Sequence, residues 1–398
     1  MQYHFENFTL DVDRRELKRS GEGISLEPQV FDLIVHVIRN RDRVVSRDEL
    51  IASVWGGRIV SESTLASRIN AARNALGDSG EAQRLIKTIQ RKGIRFTGEV
   101  REEMVAAPVA APPAVQPAQD VTFCQTTDGV HLAVATSGSG LPVVKAANWL
   151  NHLEFDWQSP VWSPLISLLS DKFRLIRYDE RGNGLSDWEA ADISFDAFVR
   201  DLEAVVDGLG LERFALLGIS QGAAVSIAYA TRHPERVSRL ILCGGYARGW
   251  RKRGVAIDIA QREALETLVL HGWGRDNPAF RQVFTSLFIP GGTPEQMQWF
   301  NDLQRVSTSP ENASRFMRTF GNIDVVELLP KVSAPTLVLH SRGDARVPFE
   351  EGRTLAQGIP GARFVGLESD NHLILSHEPA WRRYADEICA FLEQDRKG

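Results

Sequence analysis

Cysteine is scarce in this chain: three residues in 398, Cys124, Cys243 and Cys389, far apart and with no C-x-x-C pair. An odd, widely spaced set encodes neither a disulfide framework nor a zinc site, and it fits a reducing compartment. The first residues, Met1-Gln2-Tyr3-His4-Phe5-Glu6, show no basic stretch followed by an apolar run. No secretory signal is expected, and a cytoplasmic location is. Long hydrophobic runs are missing too. The best candidate, Phe214 to Ala230, is uncharged but carries Gly218, Ser220, Gln221 and Gly222, and it falls short of the roughly 18 to 20 apolar residues of a membrane span. It reads as strand, turn and helix, and no membrane partner is expected. A phosphate loop, a G-x-G-x-x-G and a metal-ligand cluster are also lacking, so neither a cofactor nor a metal is expected. Nor is there a strong charge of one sign: 46 basic and 51 acidic residues leave −5. With 43% hydrophobic and 24% charged residues, fibrous and wholly disordered readings are excluded.

A length of 398 residues exceeds one ordinary domain, so two are expected. They are separated by AAPVAAPPAVQPA, Ala106 to Ala118, a Pro-rich composition that cannot build a helix or a core and makes a semi-rigid spacer. The expected division is residues 1–103, a linker at 104–119, and residues 120–398. Between Arg39 and Arg95 stand twelve basic residues against six acidic ones. A basic face on an acidic protein points to a polyanion partner.

In the first part, Tyr3 to Leu26 alternates apolar and polar residues with turn signals at Asp11-Val12-Asp13 and Gly21-Glu22-Gly23, which predicts short antiparallel strands. Pro28 then starts a helix with Val30, Leu33, Ile34, Val37 and Ile38 on one face. Ser46 with Glu49 starts a second. A third spans about Ser61 to Leu76, burying Leu65, Ile69, Ala72 and Leu76 and leaving Thr64, Ser67, Arg68, Asn70, Ala71, Arg73 and Asn74 for the outer face. Leu85 to Ile89 and Ile94 to Phe96 flank Gln90-Arg91-Lys92-Gly93, a hairpin with a basic tip. Sheet, three helices and hairpin compose an α+β winged helix-turn-helix.

On SRDELIASVWGG, STLASRINAARNALGD and RLIKTIQRKGIRF, the first hundred residues resemble the C-terminal domain of OmpR/PhoB-type transcriptional regulators. The resemblance implies binding to double-stranded DNA, with the third helix in the major groove and Arg91 and Lys92 reaching the minor groove or phosphates. It also implies pairs of domains on direct repeats, hence a homodimer, whose contact could equally lie in the second part. The family usually carries more basic residues on this helix than Asn70, Ala71 and Asn74 provide. A protein-interaction module is the competing reading of this domain.

In the second part, strand-like runs alternate with helical patterns: 121–126, 130–136, 141–144, 173–178, 214–217, 240–243, 336–340 and 364–367. This predicts an α/β fold with a doubly wound, mostly parallel sheet. Gly218-Ile219-Ser220-Gln221-Gly222 stands between a buried strand and an apolar helix, the context in which a G-x-S-x-G presents a nucleophile. A serine needs a base and an orienting acid, and Asp344 and His372 follow it in the required order, each just past a strand.

Together with YDERGNGLSD (Tyr178 to Asp187), these elements resemble the α/β-hydrolase fold over some 270 residues. The resemblance implies that Ser220, Asp344 and His372 are catalytic. It also implies an oxyanion hole from the Gln221 N–H and the N–H of Trp149 or Asn148, although Val143 to Leu150 lacks the family's His-Gly. The helical, aromatic-rich stretch at about 246–330 resembles an inserted lid, a few of whose aromatics would face Ser220. The partner would be a small, partly hydrophobic molecule such as an ester or lactone.

With no receiver-type domain in the sequence, the hydrolase part is the expected sensor. The leading expectation is a one-component DNA-binding regulator whose hydrolase domain binds, and hydrolyses, a small effector by a Ser-His-Asp mechanism. The alternatives are a metabolic serine hydrolase with an accessory DNA-binding domain and a catalytically dead receptor.

Overall fold

The computed structural model describes the chain except for residues 1, 13–14, 25, 56–59, 61, 90–91, 104–118, 276, 278 and 395–398. Most of the Ala/Pro-rich segment therefore lies outside the described residues, as does Arg91. Two compact units are present, Met1–Ala114 and Val115–Gly398, each with its own hydrophobic core.

The first unit runs β1 (Gln2–Phe5), β2 (Phe8–Asp11), β3 (Glu16–Arg19), β4 (Glu22–Ile24), α1 (Pro28–Arg39), α2 (Arg47–Trp55), α3 (Glu62–Ala75), β5 (Ile86–Ile89), β6 (Gly93–Phe96) and β7 (Arg101–Glu103). Alternation in β1 and β2 buries Tyr3, Phe5, Phe8 and Leu10 on one face, as the period of two requires. The antiparallel sheet has the order β4-β3-β2-β1-β7. Nothing in the sequence marks β7: Arg101-Glu102-Glu103 has no apolar residue, and it is a strand through its pairing with β1. Helix α1 has Pro28 in its first turn and sends Val30, Leu33, Ile34, Val37 and Ile38 into the core. Hairpin β5–β6 is a separate ribbon, joined to the segment before α2 by a bridge between Val45 and Ile94. Gly93, at φ 140°, is where the two backbones meet, and a Cβ there would collide with the Val45 carbonyl.

The second unit runs β8 (Asp120–Gln125), β9 (His131–Ser137), β10 (Pro142–Lys145), α4 (Leu153–Trp157), α5 (Ser163–Ser170), β11 (Arg174–Tyr178), α6 (Phe195–Gly208), β12 (Phe214–Ile219), α7 (Gln221–Arg232) and β13 (Val237–Cys243). The lid helices follow: α8 (Trp250–Arg253), α9 (Ala256–Gly272), α10 (Ala279–Phe288), α11 (Pro294–Ser307) and α12 (Pro310–Asn322). The chain then returns through β14 (Thr336–Ser341), α13 (Phe349–Gly358), β15 (Arg363–Leu367) and α14 (Ala380–Glu393). The eight strands lie in the order β15-β14-β13-β12-β10-β11-β9-β8. β10 to β15 are parallel and β8 and β9 antiparallel at one edge. Every residue of β12 and β14 is buried, which is why both read as continuous apolar runs.

The segment YDERGNGLSD is structural. The fully buried Arg181 donates to Asp201 at 2.6 to 3.0 Å and to Asp128 at 2.7 and 3.1 Å. Asp179 accepts from the Leu153 and Leu185 N–H groups and from Asn151 at 2.8 to 3.1 Å. These bonds pin the loop after β10 beside the end of β11, at the edge where the candidate site lies.

Candidate active site and nucleic-acid interface

Ser220 stands between β12 and α7 with φ 55° and ψ −125°, a conformation that costs a non-glycine residue of order 1–3 kcal/mol. The turn is tight because the neighbours are small. A Cβ on Gly218 would meet Ala223 Cα at 2.6 Å. The Ser220 N–H donates to the Cys243 carbonyl at 3.0 Å. The buried helix α7 begins at the next residue, so its unpaired first-turn N–H groups point toward the serine.

Asp344 and His372 follow β14 and β15. His372 Nδ1 donates to Asp344 Oδ2 at 2.7 Å, while Asp344 Oδ1 accepts from the Arg346 and Val347 N–H groups, both at 2.8 Å. With Nδ1 committed as donor to a carboxylate, Nε2 is the basic nitrogen. It is buried and makes no hydrogen bond among the described residues. The imidazole is held edge-on to the Phe288 ring at 5.3 Å. His340, which reads as a packing residue in the sequence, lies beneath this pair. Its Nε2 donates to the Val347 carbonyl at 3.0 Å and sits 3.6 Å from Asp344 Oδ2; burial pushes its pKa down.

The expected oxyanion donors fare differently. Gln221 provides the first N–H of α7 beside Ser220. The Trp149 N–H, in contrast, is spent: it donates to Gln221 Oε1 at 3.2 Å. Gln221 is held there because its Nε2 donates to Glu180 Oε1 at 3.0 Å and to the Ala147 carbonyl at 3.3 Å. The assignment of Trp149 is corrected accordingly, for its N–H turns outward only if the Gln221 side chain moves. Glu180 itself is raised to about 8, by burial first and then by the neighbouring charge of Asp201. Lys145, at the end of β10, is buried against the Trp162 ring at 4.9 Å and donates to Asn148; burial lowers its pKa.

A cavity of about 30 Å³ at Ser220 is walled by Trp149, Tyr246, Trp250, Phe288 and Phe320. Of the lid aromatics, Trp250, Phe288 and Phe320 thus face the serine. Trp273, Phe284 and Phe316 pack around the Trp149 ring as core, and Phe280 is exposed. Among the described residues no His/Cys/Asp/Glu group could hold a metal ion.

In the first unit, the outward face of α3 is Ser63, Ala66, Ser67, Asn70 and Asn74, all exposed. Thr64 and Ala71 are half-buried, Ala71 against the core. Arg68 is half-buried and paired with Glu27. Arg73 requires a correction: only 5% exposed, it points inward, donating to the Ile86 carbonyl at 3.0 Å and to Thr88 Oγ1 at 2.7 Å. It ties α3 to β5 at the floor of the cleft between them, with its guanidinium engaged on β5. Asp78, which the sequence reading passes over, completes that tie. Its carboxylate accepts from the N–H groups of Ser79, Arg84, Leu85 and Ile86 at 2.8 to 3.0 Å. Lys87, Lys92 and Arg95 of the hairpin are exposed, and a cleft of about 380 Å³ between α3 and the hairpin is lined by Arg47, Asn70 and Thr88.

Residues 154–379 match the alpha/beta hydrolase fold family, more than half of the chain. This chain is an α/β-hydrolase-fold protein. Residues 21–96 match the family of transcriptional regulatory protein C-terminal domains, so the hydrolase fold is fused to a DNA-binding regulator domain. The AB hydrolase superfamily protein YisY of Bacillus subtilis is 30% identical over 256 residues, covering 63% of this chain and 91% of its own. Among solved structures, an esterase of Exiguobacterium antarcticum superposes with a TM-score of 0.58 at 25% identity, over 68% of this chain and 99% of its own. A thermophilic esterase of Thermogutta terrifontis gives 0.57 at 27%, over 69% and 98%. Among the described residues of this hydrolase-fold protein, no helix is long and apolar enough to cross a membrane.

Proposed function

We propose that this protein is a one-component transcriptional regulator: its first unit binds double-stranded DNA, and its hydrolase unit binds and hydrolyses a small effector at Ser220. The carrying observation is the His372–Asp344 pair at 2.7 Å with a buried Nε2, unpartnered among the described residues, together with a Ser220 presented in a strand–helix turn at an aromatic-walled cavity, on a chain that also holds a regulator domain. In this mechanism Ser220 Oγ attacks the effector's carbonyl carbon and its proton passes to His372 Nε2. Asp344 holds the imidazole and stabilises its cation. The proton then goes to the leaving oxygen as the acyl bond breaks, and a water repeats the cycle to release the acid and restore the serine. The Gln221 N–H, first of α7, supports the oxyanion.

On the DNA side, the α3 face of Ser67, Asn70 and Asn74 reads base edges, while Lys92, Arg91 and the partly engaged Arg68 neutralise phosphates. The assembly is a homodimer on repeated sites. Effector binding need couple by only about 1–3 kcal/mol to change operator affinity about 5- to 150-fold.

Intact-mass detection of fluorophosphonate labelling tests the hydrolase half. The wild type gains one adduct and Ser220→Ala gains none; an unlabelled wild type refutes catalysis and leaves a receptor. Gel shift of duplex DNA from the gene's own upstream region, across salt concentrations, tests the regulator half. Equal, weak binding by wild type and Arg68→Ala/Lys92→Ala refutes it. The high coverage of free-standing esterases favours the rival, a metabolic serine hydrolase with an accessory DNA-binding unit. That rival requires the phenotype to survive deletion of residues 1–103.

A further inference from the structure

Three guanidiniums, those of Arg253, Arg262 and Arg346, line the Ser220 cavity. Other arginines of the unit end on carboxylates: Arg181 on Asp201, Arg236 on Asp207, Arg318 on Glu266. These three have no carboxylate within ion-pair distance among the described residues. Arg253 Nη1 donates to the Arg248 carbonyl at 3.2 Å and Arg262 Nη2 to the Arg346 carbonyl at 2.7 Å. Arg346 lies over the Phe284 and Phe288 rings at 5.3 and 5.0 Å. Arg253 Nε, Arg262 Nη1 and Arg346 Nη1 are each buried with no hydrogen-bond partner. Unsatisfied buried donors on converging like charges are costly. Burial and the nearby Arg253 charge accordingly lower the pKa of Arg262. Among the described residues no carboxylate contacts the cluster directly; Asp258, which lines the adjoining cleft beside Arg253 and Arg262, and Asp344 act on Arg262 only from beyond ion-pair distance.

Arg253 and Arg262 also line a second, outer cleft of about 380 Å³, whose walls include Leu265, Leu268, Val283 and Leu287. They therefore stand between that cleft and the Ser220 cavity. The inner cavity, about 30 Å³, has room for about one water, far less than a ligand needs.

We propose that the Ser220 pocket takes an acyl compound carrying a carboxylate in addition to the carbonyl presented to Ser220, with that carboxylate seated on Arg253, Arg262 and Arg346. A planar carboxylate matches the guanidinium fork with two parallel bonds. The proposal names the substrate class of the site described above and rests on Ser220 being its nucleophile.

The test compares kcat/KM for monomethyl adipate and methyl hexanoate, esters of similar length with and without the distal carboxylate. The wild type prefers monomethyl adipate, and the preference ratio falls about ten- to hundredfold in Arg262→Gln and in Arg253→Gln, the loss typical of a charge-assisted bond. Arg262→Lys recovers part of it. Melting curves without ligand show that each variant is folded. A wild-type preference for methyl hexanoate, or a ratio unchanged in both glutamine variants, overturns the proposal.

Binding is read separately, so that failure of hydrolysis and failure of anion recognition are distinguishable. Adipate raises the melting temperature of wild type and of Ser220→Ala at matched ionic strength, but not that of Arg253→Gln/Arg262→Gln. If fluorophosphonate labelling fails while this shift holds, the nucleophile reading falls and the anion site stands. No shift with adipate, or a shift only with hexyl phosphate, overturns the carboxylate assignment.

Discussion

Replacing Asp78 with alanine should unlock the first unit while leaving the hydrolase unit intact. The carboxylate of Asp78 is the acceptor for four backbone N–H groups. Two of them belong to the buried Leu85 and Ile86, and two to the exposed Ser79 and Arg84. Water can replace the acceptor for the exposed pair. The buried pair is orphaned at about 1–3 kcal/mol per donor, and the lost charged bonds bring the total to about 3–6 kcal/mol. A unit of this size has roughly 5–15 kcal/mol in hand, and each kcal/mol moves its melting point by about 4–8 °C. Calorimetry of the full chain should therefore show one transition falling by more than about 10 °C, with operator binding weakened and fluorophosphonate labelling unchanged. The pH dependence has a definite sign. Burial alone would raise the Asp78 pKa, but the four donors outweigh it and hold the pKa below the ordinary value. The stabilisation is thus complete above about pH 4 and is lost as pH falls through the lowered pKa, so wild type and variant converge in acid. An Asp78→Ala protein melting within about 2 °C of wild type at pH 7 would show that the clamp contributes little.

Glu180 gives the opposite sign. Its folded pKa is raised to about 8, so its burial lowers stability as pH rises from about 4.3 to about 8; Glu180→Gln should melt above wild type at pH 9 and beside it at pH 5. Lys92→Ala should weaken binding to all duplexes alike and reduce the magnitude of the salt slope by about one, whereas Asn70→Ala should change which sequences are preferred; equal effects from both would refute the division of roles. Arg73→Met should lower the melting point of the first unit, and its DNA affinity should recover as temperature is reduced, a pattern that a phosphate contact would not produce. His372→Ala should slow fluorophosphonate labelling at least about 10³-fold, read by mass at timed intervals.

Much of the architecture was legible because burial leaves a plain mark. Fully enclosed parallel strands such as β12 and β14 are unbroken apolar runs, and the expected strands agree with the observed ones to within three residues at their ends. Asp344 and His372, marked by chain order and by their places after strands, are brought into hydrogen-bond contact, and Ser220 stands in the strand–helix turn its neighbours encode. What escaped depends on reach. Arg73 lies among polar neighbours on α3, and polarity alone assigns it outward; its long side chain instead turns to Ile86 and Thr88. The Trp149 N–H was spent on the Gln221 side chain, a contact 72 residues away in sequence. Arg253, Arg262 and Arg346 carry no mark as a group, since their convergence exists only after α8, α9 and the loop after β14 have packed.

The inward turn of Arg73 separates two properties that many helices combine. Arg73 and Asp78 set the angle between α3 and the hairpin from within, and of the exposed side chains of α3 only Asn70, which accepts from Arg73 Nη1 at 3.5 Å, touches that tie. Substitution at Ser67 or Asn74 leaves that frame untouched, and at Asn70 removes one long bond to Arg73. The DNA-facing surface of α3 can therefore drift, or be redesigned, almost without cost to folding, whereas the wall of the Ser220 cavity, whose Phe288 and Phe320 are also core, has no such freedom.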